Sequence, residues 1–204
     1  MGLQEMAEAP TERSTKESDD WDSTNYWRPD DDVKVPVQLG VMSRCPDALL
    51  CENVFNEVLR KVSNKIQLSL VYVAKPADIV RLDSSEPDFG VKCMHGPEEC
   101  AGNVQQLCVA KHEPSSVWWE FVQCQNYEGR YKIGNPDLTL KCANAVGMDW
   151  ENSKSGRCAG RDGSGKGSEG VALLKESVVL GKKLGIKYVV KLYDPHQWAS
   201  DLHT

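Results

Sequence analysis

Two runs of alternating apolar residues, with one helix-spaced stripe between them, do most to restrict how this chain can fold. Val33, Val35, Val37, Leu39 and Val41 alternate strictly, which is the period of a strand with one apolar face. Pro36 lies inside that run and marks a strand start or an edge, because proline has no N–H to offer a ladder. Cys51, Val54, Phe55, Val58, Leu59 and Val62 then recur on one helical face. Ile66, Leu68, Leu70 and Tyr72 alternate again, with Val71 and Val73 apolar on the other face. A hairpin needs only a few connecting residues, whereas a helix-length connection suits a parallel pair. The pattern is a β-α-β unit.

The middle of the chain reads as helical. Cys100, Val104, Leu107 and Cys108 form one stripe, with Glu98 and Glu99 well placed for a helix N-terminus. Trp118, Phe121, Val122 and Gln125 form a second after Pro114, and Leu138, Cys142, Ala145 and Val146 a third, with Asp137 as its N-cap. Residues 158–170 are Gly-rich and predict a loop. Its Gly163–Gly167 run lacks the spacer and the ending of a phosphate-binding loop, so the expectation is a flexible connection. Ser168 opens a helix that turns Leu173, Leu174, Ser177, Val178, Leu180 and Leu184 inward and ends at Gly185. Ile186, Tyr188, Val190 and Leu192 alternate as a last strand. The order predicts an α/β fold, a thioredoxin-like sheet with a helical insertion after the second strand. Residues 1–32 are acidic and lack a periodic apolar face, which predicts a disordered tail before a domain over 33–204.

Composition excludes several classes. The net charge of −6 argues against nucleic-acid binding, which needs a basic face. No apolar run is long enough to span a membrane, and no cofactor motif is read. Eight cysteines at dispersed positions, with no C-x-x-C pair, suggest a disulfide framework and hence an oxidising compartment. Residues 1–10 carry neither a basic start nor an apolar stretch, so no signal peptide is visible. The two observations conflict. Either the chain is truncated or mis-started, which the cysteines favour, or it stays in the cytosol with reduced thiols.

The segment Ser43-Arg44-Cys45-Pro46-Asp47-Ala48-Leu49-Leu50-Cys51 lies between the first strand and the first helix. A thiol at a helix N-terminus meets free backbone N–H groups and the positive end of the dipole, which favour thiolate, the attacking species in disulfide exchange. Pro46 suits the first helical position, and Arg44 adds a positive charge. Cys45 is therefore the candidate nucleophile, against the plainer reading of an inert thiol. Cys51, six positions on, is turned ~120° from Cys45 in a regular helix. It reads either as a core cysteine or, after local unwinding, as a resolving thiol.

A second segment, Cys93-Met94-His95-Gly96-Pro97-Glu98-Glu99-Cys100-Ala101-Gly102-Asn103 through Cys108, resembles the signature C-Q-H-G-x-x-E-C-x-x-N-x-x-x-x-C of the gamma-interferon-inducible lysosomal thiol reductase family, with Met94 in place of Gln. The spacing of Cys142, Gly147, Trp150, Cys158, Gly170, Leu173 and Leu174 is similar to that family's later region. The resemblance covers roughly residues 35–186. It implies a thiol–disulfide oxidoreductase acting on disulfide-containing protein substrates with a small-molecule thiol reductant, in a lysosome-like or secretory compartment. The candidate catalytic cysteines are Cys45, as nucleophile, and Cys51; either Cys51 or a small external thiol would release the reduced substrate. Ala48 stands where typical members carry the second cysteine of C-x-x-C, and no proline precedes Ile186-Lys187-Tyr188, where thioredoxin folds usually have one.

Read from its residues alone, the second segment needs no catalysis. Its cysteines can staple helices to the core, His95 can be a turn residue, and Asn103 can bond backbone. Cys93, His95, Cys100 and Cys108 have the donor types of a zinc site at unusual spacing. Two rival functions therefore stand: a non-catalytic, disulfide-stapled binding module, and a cytosolic metal-binding protein.

Overall fold

The computed structural model describes residues 33–76 and 89–186. The tail reading for 1–32 and the strand reading for 186–192 fall outside these, apart from Ile186. Strand β1 (Val35–Val41) pairs in parallel with β2 (Ile66–Tyr72), in register from Val35 opposite Ile66 to Val41 opposite Tyr72. Helix α1 (Pro46–Val62) makes the crossover. Pro46 at its start, Asp47 in its first turn, and Arg60 and Lys61 in its last fit the geometry and dipole of a helix. The predicted β-α-β unit is present. The predicted helix face turns inward, with Cys51, Phe55 and Leu59 packed against the core, but Val54 is 61% exposed, and the fully buried positions on that face are Ala48 and Glu52.

After β2 comes a short antiparallel ribbon of β3 (Lys75–Pro76) and β4 (Val91–Lys92), which two-residue strands leave no pattern to predict. Helices α2 (Pro97–His112), α3 (Ser115–Glu128), α4 (Pro136–Ala145) and α5 (Lys154–Ala159) follow, and then α6 (Ser168–Lys183). The fold is α/β with its helical insertion after the second strand, as the sequence predicts. Three details differ. The N-cap of α4 is Asn135, with Asp137 in the first turn. Helix α5 occupies the start of the predicted loop. Leu180 of α6 is partly exposed, and Gly181 takes the inner position.

Among the described residues, helix α2 packs against α3, α5 and α6, with 10 of its 16 residues buried. Much of what it buries is polar, and those groups are paired. Tyr72 OH donates to Gln106 Oε1, Gln106 Nε2 to Gln125 Oε1, and Gln125 Nε2 to Gln105 Oε1, at 2.6, 2.9 and 3.0 Å. Gln105 Nε2 then donates to the carbonyls of Gly134 and Gly163. This chain of bonds joins β2, α2, α3 and two loops, and a buried polar network stabilises when its members are satisfied. It also pins the glycine loop. Gly163 and Gly165 are buried against the rest of the chain rather than free in solvent. On the other side, Ser177 of α6 accepts a bond from Tyr72 N at 2.8 Å, fixing α6 to the sheet.

Candidate active site

Cys45 is the N-cap of α1, in extended conformation, with Pro46 at the first helical position. Its N–H donates to Met42 O and its carbonyl accepts from Leu49 N, so the strand-to-helix turn is closed on both sides of the thiol. Its thiol is free and 6% exposed, and it makes no capping bond. The N–H groups of the first helical turn have no partner within the helix.

The residues that hold this turn come from the family-like signature. Ser43 N donates to Asn103 Oδ1 at 3.0 Å, Ser43 Oγ to Glu99 O at 3.1 Å, and Arg44 N to Glu99 Oε2 at 3.3 Å. Glu99 also accepts from His95 N and pairs with His95 Nδ1. Asn103 Nδ2 reaches Cys93 Sγ at 3.7 Å. Asn103 thus bonds backbone, as expected, but that of the Cys45 turn, 60 positions away. His95 orients Glu99 as well as making a turn. The approach is so close that a Cβ at Gly102 would stand 2.8 Å from Ser43 Oγ and 2.6 Å from Ile133 Cγ2. Only glycine leaves room here, in mid-helix, where it otherwise costs stability.

Arg44 is held by hydrogen bonds of its own. Its Nε donates to Ile133 O, and its two terminal nitrogens reach Tyr131 O and Glu98 Oε2. Burial pulls its pKa down, against Glu98 and Glu99, which hold it up. The guanidinium is committed to tying the turn to the 131–133 loop.

Cys51 is the second free thiol, half-buried on α1. Burial, and then Glu52 beside it, push its pKa up, which lowers the thiolate fraction available for attack. The structure places Cys45 and Cys51 on one continuous helix without a bond between them. Glu52 is a feature that periodicity misses. It is 1% exposed; Asn126 Nδ2 donates to its Oε2 at 2.6 Å, while its Oε1 has no partner. Burial raises its pKa from 4.5 to about 7, with the Asn126 bond acting the other way. Its charge also adds to the burial that lifts Tyr72 well above its ordinary value.

The other six cysteines form three disulfides: Cys93–Cys100, Cys108–Cys158 and Cys124–Cys142. The framework expected from the sequence is there. The zinc reading of Cys93, His95, Cys100 and Cys108 is overturned, because two of those thiols are bonded to each other and a third to Cys158. Glu99 and Asn103 were visible only as fixed signature positions; nothing local names partners 55 to 60 positions upstream.

A family model for gamma interferon inducible lysosomal thiol reductase (GILT) matches residues 36–146, just over half of the chain. The chain belongs to this family. It is 27% identical over 158 residues to GILT-like protein 1 of Drosophila melanogaster, covering 71% of this chain and 58% of that protein, so it spans a little over half the relative's length. A thioredoxin-like oxidoreductase from Silicibacter pomeroyi DSS-3, of known crystal structure, overlaps 83% of this chain and 84% of its own at 17% identity, with a TM-score of 0.45. The GILT match begins in β1 and ends just past α4, so it contains both the Cys45 turn and the helix that holds it.

Proposed function

We propose that this chain is a thiol–disulfide oxidoreductase whose nucleophile is Cys45. The observation that carries the reading is a free thiol at a helix N-cap, on a turn held by three hydrogen bonds to the signature helix. The Cys45 thiolate attacks one sulfur of a protein disulfide, forming a mixed disulfide. The other substrate sulfur leaves as thiolate and takes a proton from solvent. Ala48 provides no thiol one helical turn away. Cys51 lies further along an unbroken helix with its pKa raised. An external small thiol therefore does the resolving: one equivalent attacks the Cys45 sulfur and frees the reduced substrate, and a second restores Cys45 and leaves as its own disulfide. Cys51 takes that part only where the first turns of α1 unwind. The setting proposed is a lysosome-like or secretory compartment, where three disulfides persist.

The second reading is a stapled binding module. Ala48 and the burial of Cys45 favour it. Reduction of a test protein disulfide, with and without added small thiol, separates the two. The catalytic reading expects weak turnover that the small thiol stimulates and Cys45→Ser abolishes. Full activity in Cys45→Ser, or inertness of both the parent and a folded Ala48→Cys variant, supports the binding module instead.

A further inference from the structure

Several potential metal ligands converge where α2, α5 and α6 meet. A His112 nitrogen, Cys158 Sγ and a Glu169 carboxylate oxygen all lie within 4.8 Å of one another. Cys108 is the disulfide partner of Cys158 and stands four residues before His112 on α2, so the two share a helix face. Cys158 comes from α5 and Glu169 from the first turn of α6. That turn presses directly on the sulfur: a Cβ at Gly170 would stand 2.7 Å from Cys108 Sγ. Both sulfurs are buried, while the His112 and Glu169 side chains are 17% and 44% exposed, so the cluster has a solvent side by which an ion can enter.

With the disulfide closed, neither sulfur is a thiolate and two protein ligands remain. With it open, the set becomes two thiolates, an imidazole and a carboxylate from three helices, the donor types that zinc takes in tetrahedral sites. At ordinary zinc bond lengths of about 2.0–2.3 Å, tetrahedral donors stand roughly 3.5 Å apart. His112, Cys158 and Glu169 already lie within 4.8 Å of one another, and Cys108 Sγ, bonded to Cys158 Sγ, has to swing in once that bond opens. The carboxylate is already held: Glu169 Oε1 contacts His112 Nε2 at 3.1 Å and Lys111 Nζ at 2.8 Å. Two thiolates, one carboxylate and a zinc ion sum to a single negative charge, which the neighbouring Lys111 ammonium offsets.

We propose that Cys108, His112, Cys158 and Glu169 form a zinc site that replaces the Cys108–Cys158 disulfide when that bond is reduced. Two equivalents of a small thiol convert the disulfide to two thiols and leave as one oxidised dimer. Zinc then displaces the two thiol protons. The site is independent of Cys45 chemistry and stands whether or not the chain is a reductase.

The test starts from the full chain, reduced with a phosphine that is then removed without air. It is titrated first with cobalt(II), reading thiolate-to-cobalt absorption, and then with zinc against a coloured chelator. His112→Ala and Glu169→Ala keep every cysteine and change only partly exposed side chains, so they assign the site without disturbing the oxidised fold. The expected result is no zinc on the disulfide-intact chain and, on the reduced chain, a tightest zinc equivalent that binds at least tenfold more weakly in each variant. Equal affinity in the parent and His112→Ala, or binding by the disulfide-intact chain, overturns the proposal. A reduced chain that loses its structure and binds zinc equally with or without His112 overturns it too.

Discussion

Helices α1 and α2 begin alike and are built to opposite ends. Each opens on proline at its first position, with acid in its first turn. Helix α2 is buried over most of its surface, two disulfides leave it, and its buried amides are paired. Helix α1 buries only Ala48 and Glu52, carries one free thiol and is capped by the other, and leaves Glu52 Oε1 unpaired. The difference separates two tasks. The buried helix α2 is the frame, and it reaches across to hold the turn from which α1 starts. The altered part of the site, Ala48, lies on α1, while the side chains that position Cys45 lie on α2. The turn that carries Cys45 is therefore held although the usual second thiol is absent.

The contrast breaks most visibly at the staple between α2 and α5. The Cys108–Cys158 bond closes 50 positions of chain, and the chain-entropy model puts the stabilisation at about 4 kcal/mol. A Cys108→Ala/Cys158→Ala variant should lose about that much in chemical denaturation. The bond between Cys93 and Cys100, with a separation of 7, should be worth about half as much. Equal losses for the two pairs would show that loop length does not set their contribution, and no loss for either would show that α2 is held by packing alone.

Glu52 gives a pH signature to the weaker helix. Its pKa is raised in the fold from 4.5 to about 7, so the folded chain holds the proton more tightly than the unfolded one. The stability this contributes is fully present below about pH 4.5 and is lost as pH rises through 7, on the order of 3 kcal/mol in all. Thermal midpoints measured from pH 4.5 to 8 should fall more for the parent than for Glu52→Gln. Parallel curves would show that the carboxyl is not the group responsible. A fold that gains stability in acid suits the compartment proposed for it.

Asn103 tests the grip between the helices. Asn103→Ala leaves the Ser43 N–H buried without an acceptor, a loss of about 1–3 kcal/mol. It should also change the alkylation rate of Cys45 by more than that of Cys51, since Ser43 belongs to the Cys45 turn. A stability loss with no change at Cys45 would reduce Asn103 to a packing residue.

How much of this is legible in the sequence follows from what each signal depends on. The β-α-β unit, α2, α3, α4 and α6 carry apolar periodicity, and periodicity is a local property. Helix α5 has six residues and buries Ser155, Gly156, Cys158 and Ala159, so no stripe betrays it. Along α1 the apolar stripe marks the inner side through Cys51, Phe55 and Leu59, but nothing local reveals that Val54 is exposed or that Glu52 is buried and bonded to Asn126 of α3, 74 positions on. Cys45 was readable because a cysteine before proline at a strand-to-helix junction has a physical meaning by itself. Its supports, Glu99, Asn103 and Gly102, acquire meaning only when α2 is laid against the turn. Ile133 O, which receives Arg44, has no side-chain identity to read at all.

The central claim is that Cys45 attacks alone. Its most direct test is to mix the reduced-thiol form of the chain, its three disulfides intact, with a disulfide-bonded test protein. The reaction is then quenched with acid and the adduct mapped by non-reducing mass spectrometry over time. The account predicts a mixed disulfide on Cys45 that persists until small thiol is added, and that clears without added thiol in Ala48→Cys. An adduct on Cys51 instead, or none at all on a folded chain, would contradict it.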